Sequence, residues 1–435
     1  MNIIVMSGRI QLLVSGPQEQ FFTSNPDYTH FLERFKKHSN FSNQYVDIDP
    51  ENQVDFGKTI RFKVAQNTGD LLKTLSLKVT LPQLTAGGTC YIESVGHALI
   101  EYVDLIVGGT VIQRLTSDYL QIYSEHYVTQ TKQIALKNLI GKYPLRTGDL
   151  RVSNPTILTH GTLGSTKNED LFIDLPFYFY NHPELSVPLC AIKYQEVEVE
   201  FKLRDARDLV VQTNGDYATL TEDLKIKNSQ LCAEVVFLDA VERIKLENTQ
   251  RDYLITQIQQ DVFNVGIGET SFRDKLDFIN PVKELYFVIQ RSGTTGNGTS
   301  QGNFVTIFDY DNTSNVAGDK YILYENLDHL TITLDGNDIV TRDTGTVPFV
   351  KACQAAIHHS KTQLIRRFYS YSFALQPEEW YPTGQVNFSH VKEQILALSL
   401  TPCPDFSRQI RVYAESYNIL RVSEGIAETL FDIKH

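Results

Sequence analysis

Val103-Asp-Leu-Ile-Val107, Gly108-Gly109, Thr110-Val-Ile112 reads as strand, tight turn, strand. Far downstream, Leu330-Thr-Ile-Thr-Leu334, Asp335-Gly336, Asn337-Asp-Ile-Val340 reads the same way. Gly-Gly and Asp-Gly between β-branched runs mark two-residue hairpins, because the turns that match strand twist need positive φ at both central residues. Each hairpin runs into a segment with helical character, Ser117 to His126 in one case and Val347 to Ile357 in the other. A repeated unit of this size points to two copies of one β-rich domain.

The segments around the hairpins agree. Leu75-Ser-Leu-Lys-Val-Thr-Leu81 and Val197-Glu-Val-Glu-Phe-Lys-Leu203 alternate apolar and polar residues, so one face of each can be buried. Arg273 to Phe278, Leu285 to Ile289, Gln394 to Leu400 and Gln409 to Tyr413 add further short strands. Helical patterns are confined to about 117–128, 130–140 and 346–358. Short strands punctuated by Gly, Pro, Asn and Asp predict an all-β sandwich or barrel rather than a parallel α/β sheet. Leu175 to Glu184 and Tyr369 to Glu378 form a second echo, each read as an aromatic strand closed by a Pro-Glu turn. The seam between halves is expected within 212–245. Gly293 to Gly302 and Asp309 to Asp319 are expected as projecting polar loops.

Composition narrows the function. The chain has 435 residues, enough for two domains with separate cores, and 42% of them are hydrophobic. A formal net charge of -12 argues against a nucleic-acid-binding surface. The cysteines (Cys90, Cys190, Cys232, Cys353, Cys403) are scattered and odd in number, which fits free thiols in a reducing compartment rather than a disulfide framework or zinc site. No apolar run reaches the ~18 residues of a membrane span. Met1 to Met6 is too short for a signal-peptide core, and translation starting at Met6 is an equal reading.

Motifs of chemistry are weak. Gly298-Thr-Ser-Gln-Gly302 matches a nucleophile elbow in form, but it lies inside a Gly/Ser/Thr/Asn run where the required strand-to-helix turn has no support. Gly266-Ile-Gly268 lacks the third glycine of a dinucleotide fingerprint. His358-His359 are adjacent, about 100° apart on a helix, and read as surface or capping residues rather than metal ligands. Glu378-Glu379 offers a carboxylate for glycoside hydrolysis without an identifiable second one, so a turn explains it more simply. No catalytic residue, cofactor or metal is expected. Of four glycosylation sequons, only Asn297 and Asn312, in the expected loops, are candidates. Phe31, Arg34, Phe35, Lys36, Lys37 and Phe41 form an aromatic-basic cluster with two readings, contact with nucleic acid or anionic lipid and, favoured by the acidic remainder of the chain, an arm that docks on a neighbouring subunit.

Several of these stretches resemble one family. Gln11 to Gln20, Asn25-Pro26 and Phe35-Lys-Lys-His-Ser-Asn-Phe41 resemble the N-terminus of the major capsid proteins of nucleocytoplasmic large double-stranded DNA viruses, the group of iridoviruses and algal viruses. In that family the basic run ends Arg-Arg-His-Thr-Asn-Phe, so Lys here stands for Arg and Ser for Thr. Leu175 to Phe179 with Val187 to Val197 is similar to the mid-chain signature. Tyr371 to Glu379, Pro382 to Gly384 and Asn387 to Ser389 are similar to the C-terminal motif, and Tyr413 to Arg421, especially Ser416 to Arg421, to the last strand.

The resemblance implies two consecutive eight-stranded antiparallel jelly rolls: an arm at 1–45, a first barrel at 46–220 and a second at 221–435. It implies a non-enzymatic shell protein whose homotrimers, pseudo-hexameric in outline, tile an icosahedral capsid over an inner membrane. The arm would lie on the inner side and the 293–319 loops outside. Minor capsid and penton proteins are the implied partners, with no direct nucleic-acid contact, in virions assembled in host cytoplasm. Two alternatives remain at this point: a minor capsid paralogue of the same fold, and a cytosolic carbohydrate-binding or carbohydrate-active β-sandwich protein.

Overall fold

The computed structural model describes residues 7–14, 16–32, 35–86, 89–142, 164, 167–212, 224–292, 307–308, 310, 312–316, 320–361, 368–403 and 406–434. The chain divides into two compact units, 1–40 and 41–435. The first carries two short helices, Ser7–Leu13 and Pro17–Thr23, the second opened by Pro17. Its large apolar side chains, among them Phe21, Phe22, Phe31 and Phe35, are exposed.

The second unit opens with eight principal strands: β1 (Phe41–Ile48), β2 (Thr59–Val64), β3 (Leu71–Leu81), β4 (Ile100–Val107), β5 (Thr110–Thr116), β6 (Glu169–Asp174), β7 (Val197–Leu203) and β8 (Asn228–Leu238). They form two four-stranded antiparallel sheets, ordered β1-β8-β3-β6 and β2-β7-β4-β5. Alternation decides which faces meet. Val197, Val199, Phe201 and Leu203 of β7 are buried, while the intervening Glu198, Glu200 and Lys202 are only partly covered.

Eight more principal strands repeat the plan: β9 (Arg251–Val265), β10 (Ser271–Lys275), β11 (Pro281–Arg291), β12 (Leu327–Leu334), β13 (Asn337–Val340), β14 (Phe368–Ser372), β15 (Gln394–Leu400) and β16 (Arg408–Ser423). Their sheets are ordered β9-β16-β11-β14 and β10-β15-β12-β13, with short strands at 386–387 and 426–429 attached to the first. Each strand therefore sits where its counterpart eight places earlier sits. The fold is a double jelly-roll.

The two diagnostic hairpins are β4–β5 and β12–β13, at equivalent places in the two barrels. Val107 pairs with Thr110 and Leu334 with Asn337, so both loops have two residues. Gly108 and Gly109 have φ of 58° and 83°, and Asp335 and Gly336 have 48° and 77°, the primed geometry that Gly-Gly and Asp-Gly suit. Asp335 tolerates this backbone because its carboxylate accepts the Lys392 and Glu393 amides, both at 2.9 Å. A helix follows each hairpin: Ser117–His126 after β5, and a segment from Pro348 to His358 after β13.

Four expectations need correction. Leu175 to Tyr180 is an irregular, largely buried turn after β6, not a strand; Pro176 has no amide to give a ladder. Asp309 to Asp319 is not simply a loop, since 312–316 pairs with 320–324 as a hairpin. β1 begins at Phe41, inside the expected arm. β8 lies beyond residue 220 yet pairs with both β1 and β3, so a division at 220/221 would cut the first sheet from its own central strand. The elbow-like Gly298 to Gly302 falls outside the described residues.

Candidate functional site

For a chain built of two barrels, the element that makes one body of them is the seam. β11 is buried along nearly its whole length, on both faces. Leu285, Phe287 and Ile289 point into the second barrel's core, while Tyr286 and Val288 join the large core that also holds the first barrel's residues. A continuous apolar run such as Leu285-Tyr-Phe-Val-Ile289 is what a strand covered on both sides requires. Further seam contacts are polar. Gln257 donates to the Ile112 carbonyl at 2.9 Å, and the Lys193 and Tyr194 amides reach the Gly425 carbonyl at 3.0 and 3.1 Å.

Two buried charged clusters cross the seam. Asp118, in the first turn of the 117–126 helix, accepts Arg411 Nε at 2.7 Å and the hydroxyls of Tyr413 at 2.6 Å and Tyr310 at 2.7 Å. Burial works to raise its carboxyl, but Arg411 and the two hydroxyls outweigh that and hold it below the usual range. The second cluster centres on His359. Its Nε2 lies 2.7 Å from Glu284 and its Nδ1 3.5 Å from Glu378, and its ring stacks on His126 at 4.2 Å. Burial opposes protonation of His359, yet Glu284 and Glu378 prevail and push it up to about 9. Burial pushes His126 down to about 3, and His359 adds to the effect. Lys283 and Glu415 form a third buried pair at 2.8 Å.

These pairings decide the chemical readings. His359 is a buried ion-pair partner rather than a surface or capping residue; its neighbour His358 is half-buried, its Nδ1 3.1 Å from the Leu375 carbonyl oxygen. Glu378 accepts the Ser360 amide at 2.7 Å and faces His359, so it is held as a structural carboxylate. Among the described residues no three His, Cys, Asp or Glu side chains are grouped to hold a metal. The cysteines are free; Cys90, Cys190 and Cys403 are buried, Cys232 is half-buried and Cys353 exposed.

Phe31 and Phe35 are 95% and 84% exposed, and Lys36 and Lys37 are exposed too. Phe41 belongs to β1, opposite Leu238. Arg34 and Asn297 lie outside the described residues, and Asn312 begins the 312–316 strand. Sequence reading missed Asp118, Arg411, His126 and Glu284, since nothing local distinguishes a buried polar group whose partner lies far along the chain, from 75 residues for Glu284 and His359 to 293 for Asp118 and Arg411.

Comparison with known proteins gives the same picture from another direction. Residues 29–240 match the family model for the major capsid protein N-terminus, and residues 242–428 match that for the large eukaryotic DNA virus major capsid protein. The chain belongs to this capsid protein family. The major capsid protein of Pyramimonas orientalis virus is 27% identical over 96% of this chain and 98% of its own length. That of Paramecium bursaria Chlorella virus 1 is 24% identical over the same shares. Among solved structures, a chain of the PBCV-1 virus capsid superposes with a TM-score of 0.75 at 20% identity, covering 93% of this chain and all (100%) of that one. The Faustovirus major capsid protein gives 0.70 at 14% identity, covering 94% of each chain. The protein is thus a structural major capsid protein of a large double-stranded DNA virus, a virion component and not an enzyme. Its working surfaces are those that join barrels and subunits.

Proposed function

We propose that three copies of this chain form a capsomer of pseudo-sixfold outline, and that such trimers tile an icosahedral shell. The observation that carries this is the duplication: two barrels of identical strand order locked into one unit by a buried, charged seam. Six similar barrels around a threefold axis offer six similar edges, so one protein can pack hexagonally. Rigid coupling matters here, because a flexible link would scatter the edges. Native mass spectrometry of the purified protein tests it: trimers are expected, and a monomer that persists at high concentration would contradict it.

Within this reading the arm spans about residues 1–40, the first jelly roll 41–238 and the second 251–434, with the Ala240–Asn248 helix between barrels. The arm's exposed Phe31 and Phe35, with Lys36, Lys37 and Arg34, would dock on a neighbouring subunit, where acidic surface is plentiful at a net charge of -12. Minor capsid and penton proteins, and an inner membrane, would be its other neighbours in the particle, with assembly in host cytoplasm. Asn297 and Asn312 would carry any glycans.

A further inference from the structure

A cavity of about 180 Å³ opens to solvent where the two barrels meet. One wall is aromatic. Tyr123 stacks on Tyr127 with ring centroids 4.5 Å apart and 11° between planes, and Tyr180 stands edge-on to Tyr123 at 6.2 Å. Trp380, 40% exposed on the turn after β14, lines the cavity as well. The charged side chains of the remaining lining are three carboxylates, Glu378, Glu379 and Glu415, against one ammonium, Lys283. Glu415 sits in the floor with Lys283, whose ammonium is already held by that carboxylate and by the Pro377 carbonyl, each at 2.8 Å. Glu378 is engaged by Ser360 and His359. Glu379, exposed beside Trp380, has no ion-pair partner among the described residues. His182, also lining the cleft, is half-buried, and that burial lowers its affinity for a proton, so it adds little positive charge near neutral pH.

Aromatic faces combined with a surplus of carboxylate attract a soft, weakly hydrated cation, through ring quadrupoles and Coulomb attraction together. The same lining repels anions, and it lacks the clustered oxygen or nitrogen ligands that a metal ion needs. We propose that this cleft binds an organic cation, an ammonium or guanidinium group, with Glu379 as the counter-charge and the tyrosine wall with Trp380 as the cage. A free quaternary amine and a basic side chain of a neighbouring polypeptide share that chemistry.

Trp380 is the only tryptophan in the chain, so its fluorescence reports on the cleft alone. The full-length protein is titrated with choline, with N-acetyl-argininamide, and with 3,3-dimethylbutanol, a neutral analogue of choline. N-acetyl-tryptophanamide serves as the control for non-specific quenching. A saturable change is expected with at least one cation and none with the alcohol. A response to choline alone assigns the site to a free amine, and one to the arginine derivative alone assigns it to a protein side chain. Glu379→Gln, at an exposed position, should leave the melting temperature unchanged and weaken binding roughly two- to fivefold. No saturable response to either cation would overturn the proposal. So would an equal response to the alcohol, or undiminished binding by the Glu379→Gln variant.

Discussion

Asp118 has a single carboxylate and three partners from the second barrel's side of the seam, two of them on β16. Removing it would leave the Arg411 guanidinium buried without its counter-charge, a loss of about 3–5 kcal/mol in comparable sites. Asp118→Ala should therefore lower the urea midpoint strongly; a change worth less than about 1 kcal/mol would show that the pair is not what joins the barrels. The histidines set the pH response. His126 and His97 hold protons only at about 3 and about 4, below the ordinary ~6.5 of imidazole, mainly because burial disfavours their charged forms. Stability from keeping them neutral is full above ~6.5 and drains away as pH falls toward those values. His359 is the opposite case: its contribution is full below ~6.5 and is lost as pH rises through about 9. Denaturation midpoints should thus peak near neutrality and fall on both sides. His126→Phe should flatten the acid limb, and an unchanged limb would remove His126 from the explanation.

Elements differed in how far the sequence disclosed them. β15 was legible to the residue, Gln394 to Leu400, because Leu396, Leu398 and Leu400 recur at every second position and are buried while the residues between them are only partly covered. The hairpins were legible because a two-residue turn leaves little chemical choice. Residue pattern alone marks β16 only from Gln409 to Tyr413, and the family resemblance extends it to Arg421; it runs on to Ser423. Its continuation carries Glu415, Ser416 and Asn418, polar residues that are buried because Lys283, Gln259 and Gln257 meet them. Without those partners in view, apolar alternation alone does not mark the stretch as a buried strand. The 240–248 helix escaped notice because it buries no side chain, so no periodic apolar face marks it. Residues 1–40 form a separate unit whose described large apolar side chains are exposed, which fits assembly rather than folding. Deleting residues 1–40 should leave folded trimers, by circular dichroism and native mass, that no longer form arrays. Loss of the fold itself would refute that division of labour.

At the scale of the whole molecule, the duplicated strand order makes the two barrels near-equivalent, and the doubly buried β11 with its flanking ion pairs makes them one body. Neither property is useful to a catalyst of the kinds the sequence brought to mind. Both are what a shell needs, since a threefold assembly can then present six similar faces to its neighbours. The broad outline of this was readable from repeated hairpins and ordered motifs. The coupling was not, because it depends on residues such as Asp118 and Arg411 that are 293 positions apart. The most direct test is electron cryomicroscopy of the assembled protein, counting chains and barrels in each capsomer. Three chains arranged as six barrel lobes around a threefold axis are expected. Six chains per hexagonal capsomer, or two barrels of one chain lying in different capsomers, would contradict it.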